Sequence, residues 1–114
     1  MNLLEAFVAY QSLRDVIDAA ETKGSTAYKI YKFLRTVDSE REILKKAMDK
    51  QWSTEFDVPF EEADEETQGK MNEQWVSEAS KVTLNIEPFL SEDDVEQLNI
   101  SLNEIIKLNS IIVE

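Results

Sequence analysis

Lys81-Val-Thr-Leu-Asn-Ile-Glu87 decides whether this chain is wholly helical or a mixture. Val82, Leu84 and Ile86 alternate with Thr83, Asn85 and Glu87, the two-residue period that gives a β-strand one apolar face. The stretch is therefore read as a strand over 82–87. A strand needs partners for its backbone N–H and C=O groups, and three are open. One is Phe56–Phe60, where Phe56, Val58 and Phe60 alternate with Asp57 and Pro59 and proline restricts pairing to a sheet edge. A helical crossover between these two segments is long enough for parallel pairing. The others are the tail Ser110-Ile-Ile-Val-Glu114 and the same strand in a second copy of the chain.

Outward from the strand the signals are helical. Met71, Trp75, Ala79 and Val82 keep helical spacing through 64–80 in spite of Gly69. Downstream, Ser91 with Asp94 and Ser101 with Glu104 form capping boxes, with Leu90/Val95 and Ile100/Ile105 placed as hydrophobic staples. They introduce short helices near 92–98 and 102–109.

At the N-terminus, Asn2 and Glu5 make another box, and Leu3, Phe7, Tyr10, Leu13, Ile17 and Ala20 form a stripe that predicts a helix over 3–22. Lys23-Gly24 ends it, with glycine in a left-handed cap. Ser25 or Thr26 then caps a second helix, 26 to about 51, carrying Ile30, Leu34, Val37, Leu44 and Met48, with Arg41 where an apolar residue is due. Ser39 and Glu42 could cap a restart, but no Gly or Pro interrupts, so one helix is expected.

The expected fold class is mainly α with a minor β element (α+β), in a single domain 1–114. A long antiparallel helical hairpin over 1–52 would carry a small acidic α/β layer with a strand near 82–87. Besides the hairpin stripes, the core would draw on Trp75, Val82, Leu84, Ile86, Val95, Leu98 and Ile105.

Charge divides the chain. Residues 1–52 hold eight acids and nine bases, a net +1, while 53–114 hold sixteen acids and three bases, a net −13, together giving the −12 of the whole. Such a field repels nucleic acid and anionic membranes. The chain has no cysteine and no histidine, which excludes disulfides, thiolate zinc sites and imidazole acid/base or triad chemistry. The two glycines form no phosphate-binding loop, and the acidic run lacks the spacing of a calcium-binding loop. A non-enzymatic protein without cofactor or metal is expected. The N-terminal residues lack a basic leader and no apolar run approaches a membrane span, so a soluble protein in a reducing compartment is expected.

The acidic stretch Ser53–Glu66 concentrates seven carboxylates in fourteen residues without a base. Asp64, Glu65 and Glu66 suit the first turn of a helix, and Glu61–Glu62 suit a solvated linker. As a binding surface, Glu55, Asp57, Glu61, Glu62, Asp64, Glu65 and Glu66 would meet a basic groove, with Phe56 and Phe60 as apolar anchors. Lys29, Lys32, Arg35, Lys46 and Lys50 fall within about a third of the circle of the second helix at about 100° per residue. With the net charge so negative, they are read as a solvated face that neutralises acids rather than as a nucleic-acid site.

In layout, the chain resembles small acidic proteins encoded by tailed bacteriophages and prophages. The carriers are Ala27-Tyr-Lys-Ile-Tyr-Lys-Phe-Leu34, the charged helix Glu40-Arg-Glu-Ile-Leu-Lys-Lys46, the acidic middle, Val82-Thr-Leu-Asn-Ile-Glu-Pro88 and the helices introduced by Ser91. The resemblance spans about 10–112 and implies a phage product in the bacterial host cytoplasm or in the virion. The expected function is binding to a host or anti-phage defence protein with a basic groove, inhibiting a nucleic-acid-handling factor. The alternative is a self-associating virion or assembly component, a homo-oligomer.

Overall fold

The computed structural model describes residues 1–113. Five helices follow in order: α1 Leu3–Ile17, α2 Gly24–Glu55, α3 Glu65–Lys81, α4 Glu92–Leu98 and α5 Leu102–Lys107, with 3-10 turns at Phe60–Glu62 and Asn109–Ile111. Two of the expected capping boxes close with both of their bonds, Asn2/Glu5 at α1 and Ser91/Asp94 at α4. Ser101 accepts the Glu104 amide at the start of α5.

α2 is the axis of the molecule. Its 32 residues at about 1.5 Å each span about 48 Å, matching the longest dimension of 49 Å. α1 lies antiparallel along it: Tyr31 faces Asp18, Tyr10 faces Asp38 and Arg41 lies over Phe7. The apolar stripes of both helices meet in one core containing Leu3, Leu13, Ile30, Val37 and Met48. Small Ala6 and Ala9 of α1, fully buried, allow close helix approach. Among the described residues, no helix is long and apolar enough to cross a membrane.

The α+β expectation is wrong. The chain is 73% helix and, among the described residues, forms no sheet and no α/β layer. Residues 82–89 form neither helix nor strand, but the period-two face is real: Leu84 is buried and Val82 and Ile86 pack against the core. Within 82–87, however, the partner is none of the three expected. The Leu3 amide donates to the Val82 carbonyl at 2.9 Å and the Leu84 amide to the Met1 carbonyl at 2.8 Å, around a single antiparallel bridge between Asn2 and Thr83. Pairing then stops because the next residue of that partner is already in α1. The tail pairs farther along, where Leu90 and Ile112 form a parallel bridge and the Phe89 and Leu90 amides both donate to the Ile111 carbonyl.

The Phe56–Phe60 strand is also absent. α2 continues four residues past its expected end, to Glu55, and Asp57 then takes a left-handed conformation at φ 55° that turns the chain into the 3-10 segment. α1 stops at Ile17, and Gly24 has no positive φ; it is the first residue of α2, whose N-cap is Lys23 rather than Ser25 or Thr26. α2 runs unbroken through Ser39–Glu42.

Thr26 instead serves tertiary structure. Its hydroxyl donates to the Asp94 carboxylate, which also receives Lys29 Nζ at 3.0 Å and the Ser91 amide at 2.9 Å. Lys23 donates its backbone N–H to Gln97 Oε1 at 2.8 Å. These bonds pin α4 to the first turns of α2, while Phe33 and Phe89 meet at 5.3 Å just beyond.

Candidate interaction surface

The acidic segment is shaped by the way α2 ends. The Phe56 amide closes the last turn onto the Trp52 carbonyl at 2.8 Å. Phe56, Val58, Phe60 and Ala63 are half-buried against the core, the Phe60 ring lies 6.0 Å from Trp52, and the Phe60 carbonyl accepts Gln68 Nε2 at 2.7 Å. Trp52 Nε1 donates to Gln74 Oε1 at 2.8 Å, and the Gln74 amide passes on to Glu55 Oε1 at 3.1 Å. Residues between α2 and α3 are thus tied to both helices.

All seven carboxylates point outward and are exposed. Asp64 caps α3 by accepting the Thr67 amide at 2.7 Å, and bonding to Thr67 holds its carboxyl below the usual range. Glu65 and Glu66 occupy the first turn, where the helix dipole favours negative charge. Glu55 receives the Gln51 and Gln74 amides, and Glu66 pairs with Lys70 at 3.9 Å. Among the described residues, Asp57, Glu61, Glu62 and Glu65 have no cation within 4 Å, and no three carboxylates converge as metal ligands.

Beside this array residues of α1, α2 and α3 line a cleft of about 580 Å³, in which Phe7, Trp52, Phe60 and Trp75 lie among charged side chains that include Lys45 and Glu61. Phe7 meets Trp75 edge-on at 5.6 Å and stacks on Tyr10 at 5.9 Å. Arg41 also lines the cleft. Its guanidinium lies 4.2 Å from the Phe7 centroid and 5.4 Å from that of Tyr10, a cation–π arrangement. Nη1 stands 3.8 Å from Asp38, whose carboxylate accepts the Tyr10 hydroxyl at 2.7 Å, while Nε is buried without a partner. That hydrogen bond to Asp38, with burial and the carboxylate's charge, raises the Tyr10 pKa.

The structure therefore brings the expected carboxylates onto one continuous segment but ties down the expected anchors, Phe56 and Phe60, by half-burying them. Phe7 and Trp75, which helical spacing assigns to the core, are half-buried against it in the same way and line the cleft together with Phe60. Arg41 was the available signal, a cation standing in an apolar stripe. No family model matches the chain, and comparison with curated proteins and with solved structures gives no match.

Proposed function

We propose that this protein is a non-enzymatic binding module whose acidic surface at 55–66 occupies a basic groove of a bacterial macromolecule. In its specific form the target is a host or defence protein that handles nucleic acid, and occupation inhibits it. One observation carries the reading: Asp57, Glu61, Glu62 and Glu65 are exposed and unneutralised on a segment fixed at both ends, beside an aromatic cleft. Fixing the carboxylates in advance lowers the ordering cost of association. Their field accelerates encounter with a basic partner and weakens as salt screens it.

The test is a titration with a defined basic peptide, an arginine-rich decamer, read by tryptophan fluorescence because Trp52 and Trp75 line the cleft. Saturable binding that falls with salt and is lost on changing Glu61, Glu62, Glu65 and Glu66 to Gln supports the reading. Binding that the Gln variant retains from low to high salt contradicts it. A second reading, a self-associating component of a larger assembly, finds support on a different face, the outer ridge of α2.

A further inference from the structure

The side of α2 opposite the buried Ile30, Val37, Leu44 and Met48 carries Lys32, Arg35, Lys46 and Lys50 within about a sixth of the helical circle. Among the described residues none of these four lies within 4 Å of a carboxylate, whereas Lys29, Arg41 and Lys45 each do. Glu42 and Lys46, spaced for an i,i+4 pair, do not make one. Tyr28 and Tyr31 are 68% and 52% exposed beside Lys32 and Arg35, around a shallow groove of about 590 Å³ whose far end carries Glu40, and the Tyr31 hydroxyl donates to Asp18 at 3.4 Å. Exposed tyrosines beside an arginine, here Tyr28, Tyr31 and Arg35, are enriched at interface centres.

The chain cannot neutralise this end of the ridge from its own acidic segment. Arg35 and Glu55 sit on one unbroken helix, twenty residues or about 30 Å apart, well beyond a Debye length of about 8 Å at physiological salt. We propose that the ridge at Tyr28, Tyr31, Lys32 and Arg35 docks the acidic surface 55–66 of a second copy of this chain. Each surface then supplies what the other lacks: unpaired cations with exposed rings on one, unpaired carboxylates on the other. A nucleic acid along the ridge would instead approach a molecule of net charge −12, whose long-range field opposes it.

The inference rests on 55–66 being a binding face, as in the proposed function, but not on the foreign partner. Self-association would cover that face until a more basic partner displaced the second copy.

Sedimentation velocity of the full chain over a wide micromolar range tests it, with thermal unfolding to verify that each variant folds. The wild type is expected to self-associate, and Lys32→Glu/Arg35→Glu and Glu61→Lys/Glu65→Lys each to weaken association about ten-fold or more. Mixing the two variants should restore a 1:1 complex, formed by the intact ridge of one and the intact acidic surface of the other. A wild type that stays monomeric, variants that associate as it does, or a mixture that stays monomeric would overturn the proposal. So would binding of a fluorescent oligonucleotide that the ridge reversal abolishes, which would make the ridge a nucleic-acid face. The ridge variant should still bind the arginine-rich peptide. If no form binds that peptide while the wild type self-associates, the foreign-partner reading fails alone.

Discussion

Asp94 performs two tasks with one carboxylate: it completes the capping box of α4 and receives Thr26 and Lys29 from α2. Burial by itself would raise its pKa, but the Thr26 hydroxyl, the Ser91 amide and the Lys29 ammonium outweigh burial and hold the carboxyl well below the ordinary range. Because the folded pKa lies below the unfolded one, the unfolded chain takes up the proton first as the medium is acidified. The stabilisation is thus complete at neutral pH and declines once pH falls below about 4, toward the folded value. Asp94→Asn should cost about 2 kcal/mol at pH 7, in keeping with loss of hydrogen bonds to a charged group. Denaturant unfolding at pH 7 and pH 3 checks this: the gap between variant and wild type should narrow at the lower pH. An equal gap at both would assign the loss to packing. The sequence disclosed the capping half of this role, since the cap lies three residues away. The other half joins residues 68 apart and has no local sign.

At the scale of elements, local signals succeeded where the bonding partner is itself local. The boxes at Asn2 and Ser91, the cap at Ser101 and the apolar stripes of α1 and α2 satisfy requirements within a few residues. Gly24 shows how a local rule misleads. Glycine after a helical stripe suggests a left-handed cap, yet here it opens the next helix with open space around its Cα hydrogens. Gly24→Ala should therefore stabilise the fold by about 0.5 kcal/mol, mainly by restricting the unfolded chain. A left-handed cap would instead be destabilised, so the sign of the shift in chemical denaturation decides. Gly69→Ala, within α3 and equally unobstructed, should stabilise by about 0.8 kcal/mol. Ser39 and Ser91 make a matched pair. Ser39→Ala should stay within about 0.5 kcal/mol of wild type because the helix runs through it. Ser91→Ala should cost about 1 kcal/mol through loss of a real cap. A large effect at Ser39 would mean that α2 restarts there after all.

For the molecule as a whole, the fold class turned on a partner that periodicity cannot identify. The alternation at Val82, Leu84 and Ile86 correctly marks which side chains face inward, but the neighbouring backbone is Met1–Leu3, some eighty residues earlier and about to enter a helix. One apolar face and two hydrogen bonds suffice to lay an extended segment along a helical core without a sheet. The same distance effect hid the cleft: Phe7, Arg41 and Trp75 come from three helices, Phe7 and Trp75 each fit their own stripe, and Arg41, the one misfit, carries no sign of the rings it meets. The carboxylates at 55–66 were legible because they are contiguous in sequence.

Whether the carboxylates at 55–66 form a binding surface is decided by capture from nuclease-treated bacterial lysate at low and moderate salt. Tagged wild type is compared with the form in which Glu61, Glu62, Glu65 and Glu66 are Gln, and the recovered proteins are identified by mass spectrometry. The wild type is expected to retain a basic nucleic-acid-handling protein, less of it at the higher salt, and the Gln form is not. Recovery of the same proteins by both forms at both salt concentrations would contradict it.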